Sequence, residues 1–336
     1  GDGHSTTGTL DFQGCLGPRD MPNGTWTIGV TTIIQKGVAT LNVVRTQANP
    51  TAYQFGGLFN VNQTGGTVNI VLRGVNQYSN TALALSQALV TRESAFRSMN
   101  VNVFVDETCP QFPGSACGGT RLFLGQDPNG NSWADQKFVL LHELGHVVQT
   151  ALYGLQASDL GLAVPGNMFA CRCDHVFPDL QSHCLQSAEH SWAAQAEGFG
   201  HFFASDVLNF GTDSNCTFVY YKHFRNPDGF ILVPPVPKSC LTPARWLNTH
   251  CGGQTNQGVE IDWMRFYWVL LNKGNGNNLT YAELERVYKR ACGNGSCSSK
   301  RPTWAQLETA ARAEFGSGSA KANWFLLAGS DSGVNR

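Results

Sequence analysis

One segment constrains this chain more than any other. Phe138-Val139-Leu140-Leu141-His142-Glu143-Leu144-Gly145-His146-Val147-Val148 lies in a stretch that reads as a helix from about Ser132 to Leu152. Asn131 or Ser132 is placed to cap it, with Asp135 in the first turn. Its apolar residues surround the helix on every side, so it has to be buried. Two histidines and a glutamate therefore enter an apolar interior, which is costly unless a partner or a metal compensates them. His142 and His146 are four residues apart, so they project from one face, one turn apart, and can grip one ion. Zinc is the ion that this donor pair suits. Glu143 follows the first histidine directly, where its carboxylate reaches a water beside the metal rather than the metal itself.

A catalytic zinc takes three protein ligands and leaves a position open. A third histidine further along the same segment would require a glycine and a histidine where the chain has Gln149 and Leu152, so the ligand must come from elsewhere. The best candidate is Glu197, in Ala193-Ala194-Gln195-Ala196-Glu197-Gly198-Phe199-Gly200-His201-Phe202-Phe203. An ionised carboxylate in so apolar a helix needs a cationic partner. Glu189, His190 and His201 are the alternatives. His201, one turn beyond Glu197 on the same face, is also placed to hydrogen-bond a metal ligand from behind.

The chain carries 23 basic and 24 acidic residues, a net charge of −1, which excludes a strongly basic nucleic-acid binder. Its longest apolar run, Phe266-Tyr267-Trp268-Val269-Leu270-Leu271, is far shorter than the ~20 residues a membrane span needs. Eleven cysteines are spread along the chain without a Cys-x-x-Cys pair, which favours disulfides over a zinc ribbon. The short separations Cys109/Cys117, Cys240/Cys251 and Cys292/Cys297 suit local loops. The expectation is a secreted protein, read as a mature chain from its Gly1-Asp2-Gly3-His4 start, and as a monomer.

The predicted architecture is α+β. Residues 1–78 form a β-rich region, with strands over 25–34, 39–44 and 67–72. It is a separate binding module, a pro-segment-like cap or an integral flank of the catalytic domain. Residues 79–153 supply a helix over 81–98, strands over 101–105 and 120–124, and the histidine-bearing helix. Residues 154–336 open with an irregular stretch holding Cys171, Cys173 and Cys184, then become mostly helical, with helices over 187–210, 260–272, 280–291 and 303–315.

His142-Glu143-x-x-His146 followed by a helix bearing Glu197-Gly198-Phe199 resembles the gluzincin metallopeptidases, the group of thermolysin and the aminopeptidase-N-like enzymes. The resemblance spans residues 81–272 in element order and is specific at 142–146 and 195–203. It implies zinc on His142, His146 and Glu197, with Glu143 as general base. It also implies a zincin-like two-lobed domain: a sheet with two helices above the cleft, and a mostly helical lobe below. Thr120–Leu124 would be the edge strand that pairs with an extended substrate. Fifty residues separate His146 from Glu197, more than the group usually has. No Gly-x-Met-Glu-Asn-like exopeptidase segment precedes the motif, so an endopeptidase acting on protein or peptide is expected, through a zinc-activated water. The oxyanion stabiliser stays open among Tyr220, Tyr221, His223 and Tyr267, the last reading better as core.

Two rivals stand beside this reading. One is a non-catalytic adhesion or carbohydrate-binding protein on a zincin-like scaffold, and the other is a zinc hydrolase of a non-peptide amide. An intact Glu143 argues against the first. Asp127-Pro128-Asn129-Gly130-Asn131 spaces its oxygens as calcium loops do, but Ser132 and Phe138 replace the glycine and the acid that Ca2+ sites use. A turn leading into the next helix is the better reading there.

Overall fold

The computed structural model describes residues 24–36, 39–52, 54–61, 77–110, 116–154, 188–209, 257–297 and 302–335. The strand expected over 67–72, the Cys240/Cys251 loop and the cysteine-bearing stretch 155–187 lie outside these.

The β-branched run at the start does not make one strand. β1 (Gly24–Thr31) pairs antiparallel with β5 (Gln54–Val61) in a two-stranded ribbon. β2 (Ile33–Lys36) turns away to pair with β3 (Ala39–Thr46), and β4 (Asn49–Ala52) joins β3 further along the same edge. On its other edge β3 runs parallel to β6 (Met99–Phe104), from Ala39↔Met99 to Val44↔Phe104. β8 (Leu122–Phe123) comes next in parallel, and β7 (Cys117–Gly118) closes the sheet antiparallel to β8. The resulting six-stranded mixed sheet crosses the boundary expected at residue 78. Residues 33–52 are thus an integral flank, not a separate module.

The edge strand is also not where the resemblance put it. β8 sits between β6 and β7, so its backbone is paired on both sides, and β7 is the terminal strand among the described residues. The disulfide Cys109–Cys117 ties β7 to the chain leaving β6.

Alternation along the strands sends Ala39, Leu41, Val43, Val101 and Val103 into the main core. There they meet α1 (Gln77–Thr91) and α2 (Lys137–Tyr153). The opposite face carries only a small cluster, Val44, Phe104 and Phe123, with the two phenyl rings stacked at 5.0 Å. The helix expected over 81–98 ends sooner: Glu93–Ala95 form a 3-10 turn and Phe96 is already extended. Likewise Ser132 caps a short 3-10 turn, Trp133–Asp135, through Ala134, and α2 starts at Lys137. Gly154, at φ 79°, ends α2.

α3 (Ser191–Asn209) is entered from a short strand, β9 (Ala188–His190), that pairs antiparallel with β10 (Gln257–Val259). β10 leads straight into α4 (Glu260–Asn272), so one ribbon ties together the chain entering both helices. α5 (Tyr281–Ala291) and α6 (Trp304–Phe315) each begin with a capping box, Thr280/Glu283 and Thr303/Gln306. α7 (Ala320–Ser332), a helix not expected from the sequence, covers α4 with Phe325 edge-on to Phe266. A second disulfide, Cys292–Cys297, closes a loop whose Cys297 N–H donates to the Tyr153 carbonyl at 2.8 Å, holding the end of α2.

Candidate metal centre

The centre forms where α3 crosses α2, and glycines set the separation of the two helices. A Cβ on Gly145 would lie 3.0 Å from the Gly200 Cα, so the backbones are nearly in contact. A Cβ on Gly200 would fall 2.8 Å from His142 Cε1, on the face of the imidazole ring. Two residues earlier, a Cβ on Gly198 would sit 2.5 Å from the Trp263 Cβ on α4. α3 is thus wedged between its neighbours by small residues on both sides, which brings its polar side chains against α2.

There His142 Nε2, His146 Nε2 and Glu197 Oε2 converge. The separations are 3.1 Å from His142 to Glu197, 3.1 Å between the two histidines and 3.4 Å from His146 to Glu197. Ligand atoms about 2.1 Å from one tetrahedral zinc lie about 3.4 Å apart, close to the spacing of these three atoms. His142, His146 and Glu197 are all buried, at 6%, 4% and 8% exposure. His201 meets the other nitrogen of His142, with 3.1 Å between the two Nδ1 atoms. Its ring is stacked on Phe138 at 6.0 Å. The group of buried His142 and Glu197 with part-buried His201 has donor atoms within 4.8 Å of one another and can hold a metal ion. The tighter triangle uses His146 in place of His201, on the Nε2 side of the His142 ring.

Burial pushes the His142 pKa down from 6.5 to about 3, and the neighbouring His201 pushes the same way, against the Glu197 carboxylate. His142 therefore stays neutral across the ordinary pH range, the form in which imidazole binds a metal.

Glu143 is half-buried, more open than the two histidines that flank it in the motif. β7 runs against the backbone beside it: a Cβ on Gly118 would lie 1.8 Å from the Glu143 carbonyl oxygen. Of the other ligand candidates, Glu189 and His190 lie in β9, just before α3. Tyr267 is fully buried, with its hydroxyl 2.5 Å from that of Tyr288, so it belongs to the core. Tyr220, Tyr221 and His223 lie outside the described residues.

The proposed calcium loop is accounted for by its own hydrogen bonds. Asp127 Oδ1 accepts from the Asn129 and Asn131 backbone N–H groups, at 2.9 and 2.8 Å, and Oδ2 accepts from the Asn131 side chain at 2.9 Å. That is a turn stabilised by its leading aspartate.

Sequence reasoning passed over Glu260, the first residue of α4. It is wholly buried, with Oε2 3.1 Å from His201 Nε2. The signal was present: Val259-Glu260-Ile261-Asp262-Trp263-Met264 sets an acid in an apolar helix, the same pattern that singled out Glu197.

No protein-family model matches this chain, and no curated protein matches it by sequence. No described helix is long and apolar enough to cross a membrane.

Proposed function

We propose that the chain is a secreted zinc-dependent endopeptidase of gluzincin type, with His142, His146 and Glu197 as zinc ligands and Glu143 as general base. The observation that carries this is the triangle of two imidazole nitrogens and one carboxylate oxygen at 3.1, 3.1 and 3.4 Å, with Glu143 next to its first member. The donor set is the two-histidine, one-glutamate type of hydrolytic zinc sites, and it leaves a fourth position for water or substrate. When bound, zinc supplies Lewis acidity, polarising a carbonyl and acidifying a water.

The remaining work falls to the protein. Glu143 accepts a proton from the attacking water as its oxygen bonds to the scissile carbonyl carbon. Glu143 then delivers that proton to the amide nitrogen, and the C–N bond breaks. Glu143 has the neighbours for this role: a buried metal triad beginning on its own helix and the terminal strand β7 beside its backbone. An extended peptide adding to β7 by main-chain hydrogen bonds would bring its carbonyl near Glu143. In the two-lobed zincin reading, the mixed sheet with α1 and α2 forms the upper lobe, and α3 to α7 the lower. The disulfides Cys109–Cys117 and Cys292–Cys297 are the mark of an oxidising compartment and support secretion.

Glu143→Gln tests the proposal. Zinc content and melting temperature should match the parent, while hydrolysis of an unfolded protein substrate falls ~10²–10⁴-fold. A parent that binds zinc and cleaves no peptide would point to the binding-protein reading. A mutant as fast as its parent would remove Glu143 from the mechanism.

A further inference from the structure

We infer that the Cys109–Cys117 disulfide is a redox switch on substrate binding: closed, it holds β7 beside Glu143, and opened by a dithiol, it releases the strand to which a peptide adds. This regulation rests on the endopeptidase reading, with β7 as the substrate-binding strand.

The two ends of the bond are fixed very differently. Cys109 is buried and follows a segment tied down on two sides. The Val105 and Asp106 N–H groups donate to the Val44 and Arg45 carbonyls at 3.1 and 3.0 Å, and the Gly125 N–H donates to the Glu107 carbonyl at 2.9 Å. A Cβ on Gly125 would lie 2.5 Å from the Thr108 nitrogen, so the packing there leaves no slack. β7, by contrast, is two residues long and pairs with β8 at Cys117↔Phe123 and Gly118↔Leu122. A pairing so short is marginal without further support. Side chains alternate across a strand, and in β7 the alternation separates two contacts. Cys117 packs on Val44, Phe104 and Phe123, the small cluster on the face of the sheet opposite the main core, and the disulfide anchors it there. Gly118 points the other way, where a Cβ would lie 1.8 Å from the Glu143 carbonyl oxygen, so the two backbones touch. The bond is thus a tether from the fixed chain leaving β6 to the strand that lies on Glu143. A peptide paired with β7 takes its position from that strand, and a misplacement of about 1 Å can cost ~10²-fold in rate.

Opening the bond requires a thiolate to reach one of its sulfurs. Cys117 is half-buried, whereas Cys292 and Cys297 have no exposed surface, so a small dithiol opens the β7 bond before the Cys292–Cys297 bond. The dithiol's thiolate attacks the Cys117 sulfur, forming a mixed disulfide and releasing the Cys109 thiolate. Its second thiol then displaces Cys117. Two electrons pass to the protein, the dithiol ends as its own disulfide, and its two protons end on Cys109 and Cys117. The chain is accordingly poor at cleaving peptides in a reducing compartment and gains activity when the bond closes in an oxidising one.

The double variant Cys109→Ser/Cys117→Ser reproduces the open state in the full-length, zinc-loaded protein, without a reductant that competes for zinc. Its zinc content should match the parent. Its kcat/KM for an extended peptide should fall ~10²-fold. Across a series of peptides lengthened residue by residue, the parent should gain kcat/KM with length and the variant should not. Backbone hydrogen exchange over residues 116–119 should rise. Parental hydrolysis, or a loss equal at every peptide length, would overturn the inference. So would alkylation of Cys292 and Cys297 before Cys109 and Cys117 in a dithiothreitol titration read by mass spectrometry. If the double variant does not fold, parent protein alkylated at Cys109 and Cys117 alone, then freed of dithiol, decides on the same peptide series. A parent that binds zinc and cleaves no peptide would sink the endopeptidase reading. Unchanged exchange at Gly118 in the open form would sink the tether on its own.

Discussion

α3 carries two buried carboxylates nine residues apart, Glu197 and Asp206, and they are built in opposite ways. Asp206 is surrounded by donors. The Arg92 guanidinium grips both its side chain and its backbone carbonyl, Tyr281 donates to Oδ2 at 3.1 Å, and Asn272 donates to Oδ1 at 3.1 Å. Such a cluster is complete within the chain and ties the end of α1 to α3, α4 and α5. Glu197 Oε2 lies 3.1 and 3.4 Å from two imidazole nitrogens, and one of them belongs to a ring that burial keeps neutral. An arginine holds the first carboxylate, while the second lies within 3.4 Å of two histidine nitrogens, a donor set that suits a metal ion.

The sharpest way to break this contrast is to remove each carboxylate in turn. Asp206→Ala should destabilise the metal-free protein by about 3–5 kcal/mol in urea unfolding, because it leaves the Arg92 charge without its partner in a part-buried site. Glu197→Ala should cost the metal-free protein less, yet abolish the stabilisation that added zinc gives the parent. The reverse order of losses, or zinc stabilisation that survives Glu197→Ala, would erase the distinction.

Gly200→Ala should come next, at about 1–3 kcal/mol, since the new methyl overpacks the helix crossing. Its zinc affinity should fall as well, because the methyl displaces the His142 ring. Zinc titration monitored by thermal unfolding reads both effects, and a stable variant with parental affinity would show that the α2–α3 spacing is not critical.

pH gives a smaller, graded effect in the metal-free protein. The folded state protonates His142 only near pH 3, whereas the unfolded chain does so near 6.5. Below pH 6.5 the unfolded state therefore binds more protons, and stability falls as pH drops toward 3. The urea midpoint should decline more steeply over that window in the parent than in His142→Asn. Equal slopes would mean that His142 is not held neutral.

The smallest expected change is a control at a residue that bonds to neither carboxylate, since the Thr280 side chain pairs with Glu283. Thr280→Ala removes the α5 capping box and should cost about 1 kcal/mol, with zinc affinity untouched.

Much of the centre was legible before the fold was known. The spacing of His142 and His146 places them on one face of any helix, and the apolar surroundings of Glu197 mark a carboxylate that needs a partner. Both are local properties, written in residues less than two turns apart. α5 and α6 fall within a residue of the helices expected over 280–291 and 303–315. α7 was missed, because Gly316 and Gly318 precede it and its apolar residues lack a clear stripe.

Other features are decided between segments far apart in sequence. Whether a strand is central or at the edge depends on its neighbours, so Leu122–Phe123 proved internal and Cys117–Gly118 terminal. The split of the 25–34 run between two sheets arises from partners at 39–46 and 54–61, which alternation along the run itself does not record. Tyr267 and Glu260 share one helix, yet the first packs into the core and the second reaches His201, 59 residues away. The sequence by itself determined the pair of histidines, their helix and the glutamate beside the first of them, because helix geometry alone aligns side chains at four-residue spacing. Only the tertiary structure decided that Glu197 closes the triangle and that Glu260 stands behind it, because those distances arise from glycine-mediated helix crossings that no local pattern encodes.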